Sequence, residues 1–190
     1  MCGNGGRCIA AFAFSKGYKT ENINFEAIDG EHNATLEESG LVNLKMQNVS
    51  NFEKFNRAYI VNTGSPHYVE FVEDLNNFDV YTKGKAIRHD SKFEPKGTNV
   101  NFVEIINNEL FVRTFERGVE NETLSCGTGV VASAIAARLK GFSAESDSYK
   151  IITKGGVLNV KFTLSNNENE FVDVWLKGPA EKVFKGTYNS

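Results

Sequence analysis

Cysteine, proline and tryptophan are scarce in these 190 residues: three, three and one. Three cysteines, an odd number in a chain this long, argue against a disulfide framework and for reduced thiols. Cys2 and Cys8 have no second Cys/His pair at ligand spacing, so no metal site is expected. Long hydrophobic runs are missing too. No apolar stretch nears the ~20 residues that span a bilayer, and Ile9 to Phe14 is too short and badly flanked for a signal peptide. No membrane partner is expected, and the protein reads as cytoplasmic. A basic stripe is also lacking, because 21 Lys and Arg are scattered among 24 Asp and Glu for a net charge of -3. That excludes an electrostatic footprint for nucleic acid and leaves a small acidic or zwitterionic partner.

What is present begins at the first residue. The chain opens MCGNGGRCIAAFAF, a cysteine, glycines and an asparagine in front of a short apolar run, and SCGTGVVASAIAARL from Ser125 does the same. Sliding the sequence against itself by 124 residues pairs Cys2 with Cys126, Gly3 with Gly127, Gly5 with Gly129 and Ala10 with Ala134. Lys16 and Gly17 fall on Lys140 and Gly141, and Tyr18 falls on Phe142. Each segment reads as a Gly-rich turn, a small-residue helix, a cation in the last turn and a glycine stop. The two are copies of one helix.

After each copy comes a predicted hairpin, FEAIDGEHNATLE around Asp29-Gly30 and YKIITKGGVLNVKFTL around Gly155-Gly156. Alternating strands follow, LVNLKM from Leu41 and FVDVWL from Phe171. Between the copies, Phe55 to Ser125 reads as the strands RAYIVNTG, TNVNFVEII and ELFVRTFE, with a short helix near Val69 to Leu75. By the logic of the repeat, the first unit requires a front part of its own upstream of Met1, so the chain reads as truncated or Met1 as an internal methionine.

The fold class expected is α+β: two pseudo-symmetric domains, each a mostly antiparallel sheet wrapped around a central helix, the first incomplete. Residues 1–50 form the remnant of the first domain and 51–190 the second. A last strand at about 179–190 packs back on the first domain. A helix apolar all round must be buried, and the alanines of both copies suit enclosure by a sheet.

A helix N-terminus offers unpaired N–H groups and about half a positive charge, so it binds carboxylates and lowers the pKa of a thiol placed there. Taken singly, a Cys-Gly-x-Gly at a helix start is more often structural, since free cysteine packs as a small hydrophobe. Duplication changes the balance. Two such thiols suit a symmetric reaction, in which one removes a proton from one face of an α-carbon and the other returns a proton to the opposite face. Cys8 aligns with Ala132 rather than with a cysteine and reads as packing.

The motifs MCGNGGRC, GSPH, TNV, FERGVENET and SCGTG, in that order, resemble the diaminopimelate epimerases, and the resemblance runs from Met1 to the closing GPAEKVFKG. It implies interconversion of LL- and meso-diaminopimelate in lysine biosynthesis by two cysteines, without a cofactor. Cys2 and Cys126 match the acid/base pair. Gly3 and Asn4, with Gly127 and Thr128, match positions whose backbone amides hold the α-carboxylate. Glu116 matches a residue that contacts the amine and tunes the thiols, Arg117 one that holds the distal carboxylate, and Asn99 one that reads the distal end. His67 matches a thiol-tuning histidine, whose bland alternative is a structural histidine beside a turn. Ser65 stands where the family more often has asparagine and reaches the distal carboxylate through a bridging water.

Rival readings are a related two-cysteine racemase of the proline racemase kind, a thiol redox protein and an inactive truncated fragment. Proline racemases usually show His after Met-Cys-Gly and Pro before the second cysteine, where this chain has Asn4 and Ser125. A redox protein would want Cys-x-x-Cys, which is absent. A homodimer is left open.

Overall fold

The computed structural model describes residues 1–18, 22–142 and 148–187. Among these residues three α-helices, α1 (Gly3–Ser15), α2 (Val80–Arg88) and α3 (Gly127–Leu139), accompany twelve strands. The first unit contributes β1 (Ile23–Ala27), β2 (Gly30–Leu36) and β3 (Val42–Lys45). The middle of the chain contributes β4 (Phe52–Phe55), β5 (Ala58–Asn62), β6 (Pro66–Phe71), β7 (Asn99–Ile106), β8 (Glu109–Glu116) and the short β9 (Asn121–Thr123). The last three are β10 (Ser148–Thr153), β11 (Gly156–Leu164) and β12 (Phe171–Gly178). They form one continuous hydrogen-bonded path, β1-β2-β3-β12-β11-β10-β8-β7-β6-β5-β4, with β9 on β8.

The repeat is visible in this order. The meanders β1-β2-β3 and β10-β11-β12 are joined by their last strands, β3 antiparallel to β12, with Leu44 opposite Leu176. Helices α1 and α3 have the same length, begin after Cys2 and Cys126 and stop on Lys16 and Lys140. Both ends close alike: Gly17 and Gly141 adopt positive φ (92° and 96°), and the next amides, of Tyr18 and Phe142, donate to the carbonyls of Ala13 and Ala137. Glycine fits because it alone enters the left-handed region without a Cβ clash.

The two helices differ in cover. Helix α3 is buried along eleven residues from Gly127 to Ala137, against strands of both halves of the sheet. Helix α1 buries only Gly3, Gly6, Arg7 and Ala10, resting on β2 and β3, while Ile9 is 52% and Phe12 63% exposed. The open face of α1 agrees with the expectation that the first domain is incomplete. The expectation that Cys8 is a packing residue fails: Cys8 is exposed, because its face of α1 is uncovered.

The middle segment corrects a second expectation. Val69 to Phe71 belong to β6, paired in parallel with β7, and the helix lies further on, at Val80–Arg88, capped by the Asp79 carboxylate accepting from the Thr82 amide. It was hard to foresee because Gly84 weakens it as a helix. A Cβ there would come within 2.4 Å of Phe115 Cβ, so the glycine lets α2 lie flat on β8. Strands β6 to β8 are thus covered on both faces, by α3 on one and by α2 with Val100, Phe102 and Phe115 on the other. The expected strand at about 179–190 is also absent from the described part: residues 179–187 are irregular, with Pro179 accepting from Arg7 Nε, and 188–190 lie outside the described residues.

Candidate active site

Helices α1 and α3 meet end to end at their first residues. A Cβ on Gly3 would lie 3.1 Å from Gly127 Cα, and one on Gly127 would lie 2.9 Å from Gly3 Cα. Only glycine permits this approach. It brings Cys2 and Cys126 to the rim of one pocket of about 280 Å³.

That pocket is lined by Cys2, Gly3, Asn4, Ser65, Asn99, Glu116, Arg117, Cys126, Gly127 and Thr128, together with Met1 and Ser125. Of the residues singled out in the sequence, His67 alone stands outside the wall. It is fully buried on β6, one layer beneath, with Nε2 3.0 Å from both Ser65 Oγ and Thr128 Oγ1. A larger cavity of about 600 Å³ adjoins the site at Asn4 and Ser125 and holds Arg7 and Cys8.

The two thiols differ in surroundings. Cys2 is exposed and Cys126 buried. Burial pushes the Cys126 thiol up, and Glu116 and Cys2 push the same way; the Thr128 hydroxyl and the Gly129 N–H work against them. On balance these surroundings favour the thiol form of Cys126. The first amides of each helix have no partner in their own helix, the earliest intrahelical bonds being Gly6 N–H to Cys2 and Val130 N–H to Cys126. Those of Gly3 and Asn4 and of Gly127 and Thr128 flank the two cysteines and suit a carboxylate.

Glu116 ends β8, and Arg117 follows it. Neither is in an ion pair among the described residues, although eleven other pairs form elsewhere. A pocket with one unpaired carboxylate and one unpaired guanidinium matches a ligand carrying an ammonium and a second carboxylate. Asn99 fixes the arginine: its Oδ1 accepts from Arg117 N at 2.9 Å, and its Nδ2 donates to Pro66 O at 3.1 Å and Ser65 Oγ at 3.4 Å. Asn99 is thus committed to protein groups, and Arg117 is the group it presents. Ser65 is tied to His67, Asn99 and Thr128 at the pocket wall.

Reading the sequence missed two polar residues behind the pocket. Arg7 is buried and donates to Pro179 O, Gly3 O and Asn4 Oδ1, while Asn4 Nδ2 donates to Ser125 O. Arg7 thus holds Asn4, whose own bond to Ser125 O joins the two helix starts across the cleft. Burial holds its pKa below the ordinary value, and the Cys8 and Cys2 thiols pull it up. Asn101 is the other, on the same face of β7 as Asn99 and buried completely. A period-2 reading of TNVNF puts both asparagines on one face, the one available signal.

The chain matches the family model for diaminopimelate epimerase over residues 59–183. Diaminopimelate epimerases of Flavobacterium psychrophilum and Hydrogenobaculum sp. are 46% and 45% identical to it, over 98% of this chain and 72% and 69% of their own lengths. The enzyme of Aquifex aeolicus is 38% identical over 98% of this chain and 68% of its own. Among solved structures, a phenazine biosynthesis protein of the PhzF family from Bacillus anthracis superposes with a TM-score of 0.70 at 14% identity, over 94% of this chain and 73% of that one. A hydroxyproline epimerase from Agrobacterium vitis gives 0.65 at 14% identity, over 90% and 62%. These two share the fold. With the family model spanning most of the sequence and the relatives aligned over nearly all of it, the chain belongs to the diaminopimelate epimerase family.

Proposed function

We propose that this chain interconverts LL- and meso-2,6-diaminopimelate, a step of lysine biosynthesis, by moving the α-proton between two cysteines without a cofactor. One observation carries the reading: two repeat-related helices meet at Gly3 and Gly127 and bring a thiol each to one small pocket. The α-carboxylate sits between the helix starts, held by amides at Gly3 and Asn4 on one side and Gly127 and Thr128 on the other. A thiolate on one face takes the α-proton. The electron pair left on carbon spreads into the carboxylate, whose growing charge those amides stabilise. The opposite thiol then donates its proton to the other face and becomes the thiolate, so the reverse reaction uses the same groups in exchanged roles. Glu116 holds the amine and Arg117 the distal carboxylate.

The test is solvent isotope wash-in. With LL-diaminopimelate in deuterated water, deuterium should enter the α-position of the meso product, and Cys2→Ser and Cys126→Ser should each abolish epimerisation while Cys8→Ala stays mild. Undiminished epimerisation by both serine variants would sink the two-thiol reading. Arg117→Lys trades a fork for a point charge and should weaken diaminopimelate by roughly 1.5 to 3 kcal/mol.

A further inference from the structure

His67 touches the active site only through other side chains, and the hydrogen bonds around it fix which nitrogen carries its proton. Asn101 Nδ2 lies 3.2 Å from Tyr68 O and 3.0 Å from His67 Nδ1. A backbone carbonyl only accepts, so the amide end facing Tyr68 is the NH₂, and the same NH₂ faces Nδ1. Thr114 completes the clamp by donating from Oγ1 to Asn101 Oδ1 at 2.9 Å, across the register pair of β7 and β8. Nδ1 is therefore an acceptor, and a neutral His67 carries its proton on Nε2.

A protonated Nε2 cannot accept from the hydroxyls it faces. It donates to Ser65 Oγ or Thr128 Oγ1, each at 3.0 Å. Ser65 Oγ also receives Asn99 Nδ2, itself oriented by Pro66 O, and can pass its own proton to Thr128 Oγ1 at 3.4 Å. By either route the Thr128 hydroxyl proton is left for Cys126 Sγ, 3.5 Å away. We propose that Asn101 and Thr114 are positioning residues that hold His67 as the Nε2–H tautomer, so that a one-way chain of hydrogen bonds ends on the Cys126 sulfur and favours its thiolate. His67 acts here as a neutral donor and never as the base. Burial and the Arg117 charge lower its pKa to about 3, in keeping with that role.

The proposal rests on Cys126 being one of the two exchanging thiols, but its test needs no turnover. The charged and titrating groups facing this network are Glu116 at the end of β8, Arg117 beyond it and Cys2 at the start of α1. All stay in place in the variants below. In the unaltered protein with ¹⁵N-labelled histidine, the His67 ring should show a proton on Nε2 and none on Nδ1, unchanged from about pH 5 to 8, the interval in which an ordinary histidine titrates. Iodoacetamide labelling, read by peptide mass for each cysteine against pH, should show Cys126 about tenfold slower at pH 7 in Thr128→Val, the effect of one pKa unit. Asn101→Leu should slow it in the same sense, and the double variant should be no slower than Thr128→Val alone, since both cut one chain. Thr128→Ser should restore the rate. A proton on Nδ1, or an unchanged Cys126 profile in folded Asn101→Leu, would overturn the assignment; the nitrogen measurement decides even if the variant fails to fold. Loss of epimerase activity with this pattern intact would count against the reaction rather than the chain of bonds.

Discussion

Burying His67 in neutral form gives the fold a pH dependence of calculable sign. Its pKa falls from 6.5 to about 3, so in the folded state it stays unprotonated while the unfolded chain takes a proton below 6.5. Stability is fully present above about pH 6.5 and is lost as pH falls toward 3, at about 1.4 kcal/mol per pH unit. Urea unfolding at a series of pH values should show this slope, and His67→Gln should flatten it by about one proton. At this scale the site was largely legible. The cysteines, glycines, Glu116 and Arg117 are residue types whose chemistry is local, and the internal repeat singled out the two thiols that line the pocket. Asn101 and Arg7 were not legible, because their roles come from partners 34 and 172 residues away. Cys8 was misjudged for a related reason. Its repeat partner Ala132 is buried in α3, but burial is a property of what covers a position, and α1 and α3 are covered differently.

At the scale of elements, the same ends recur with the same glycines, and each can be tested against its copy. Gly141→Ala forces an alanine to φ near 96° and should cost about 1–2 kcal/mol, seen as a lower urea midpoint with unchanged slope. Gly127→Ala is a different kind of lesion. The added Cβ meets the backbone of α1 at 2.9 Å and Leu176 Cδ2 at 3.2 Å, so the helix starts must separate. Overpacking of this sort costs about 1–3 kcal/mol, and epimerase activity should fall further than stability does. Strands with β-branched and aromatic alternation were readable in advance, as were both hairpins, because turn residues and period 2 are local signals. Helix α2 was not, since what holds it is the face it shares with Phe115, a contact invisible in VYTKGKAIR. Nor was the irregular course of residues 179–187, whose sequence alone reads as one more strand.

Across the whole molecule the twelve strands leave β1 at one end of the path and β4 at the other, with α1 uncovered beside β1. The stability cost of truncating apolar side chains should follow that cover. Ile135→Ala, in the buried helix, should cost about 2–5 kcal/mol, whereas Ile9→Ala should stay within about 0.5 kcal/mol, as surface changes do. The 190-residue chain should also bind a hydrophobic dye through the Ile9 and Phe12 face, and Ile9→Ser with Phe12→Ser should remove most of that signal; an unchanged signal would place the dye elsewhere. The meeting of Gly3 with Gly127 has one more consequence. Two helices that touch at their starting ends present like poles to each other, each equivalent to about half a positive charge. Packing and the hydrogen bond from Asn4 Nδ2 to Ser125 O hold them together against that repulsion, and an anion placed between them turns it into two attractions. Such a ligand would brace the fold where the two helices meet. At a hundred times its dissociation constant it should add about 2.7 kcal/mol and raise the melting temperature by about 5–10 °C. Simple carboxylates too short to reach Arg117 should still give a smaller rise, and Gly127→Ala should lose it.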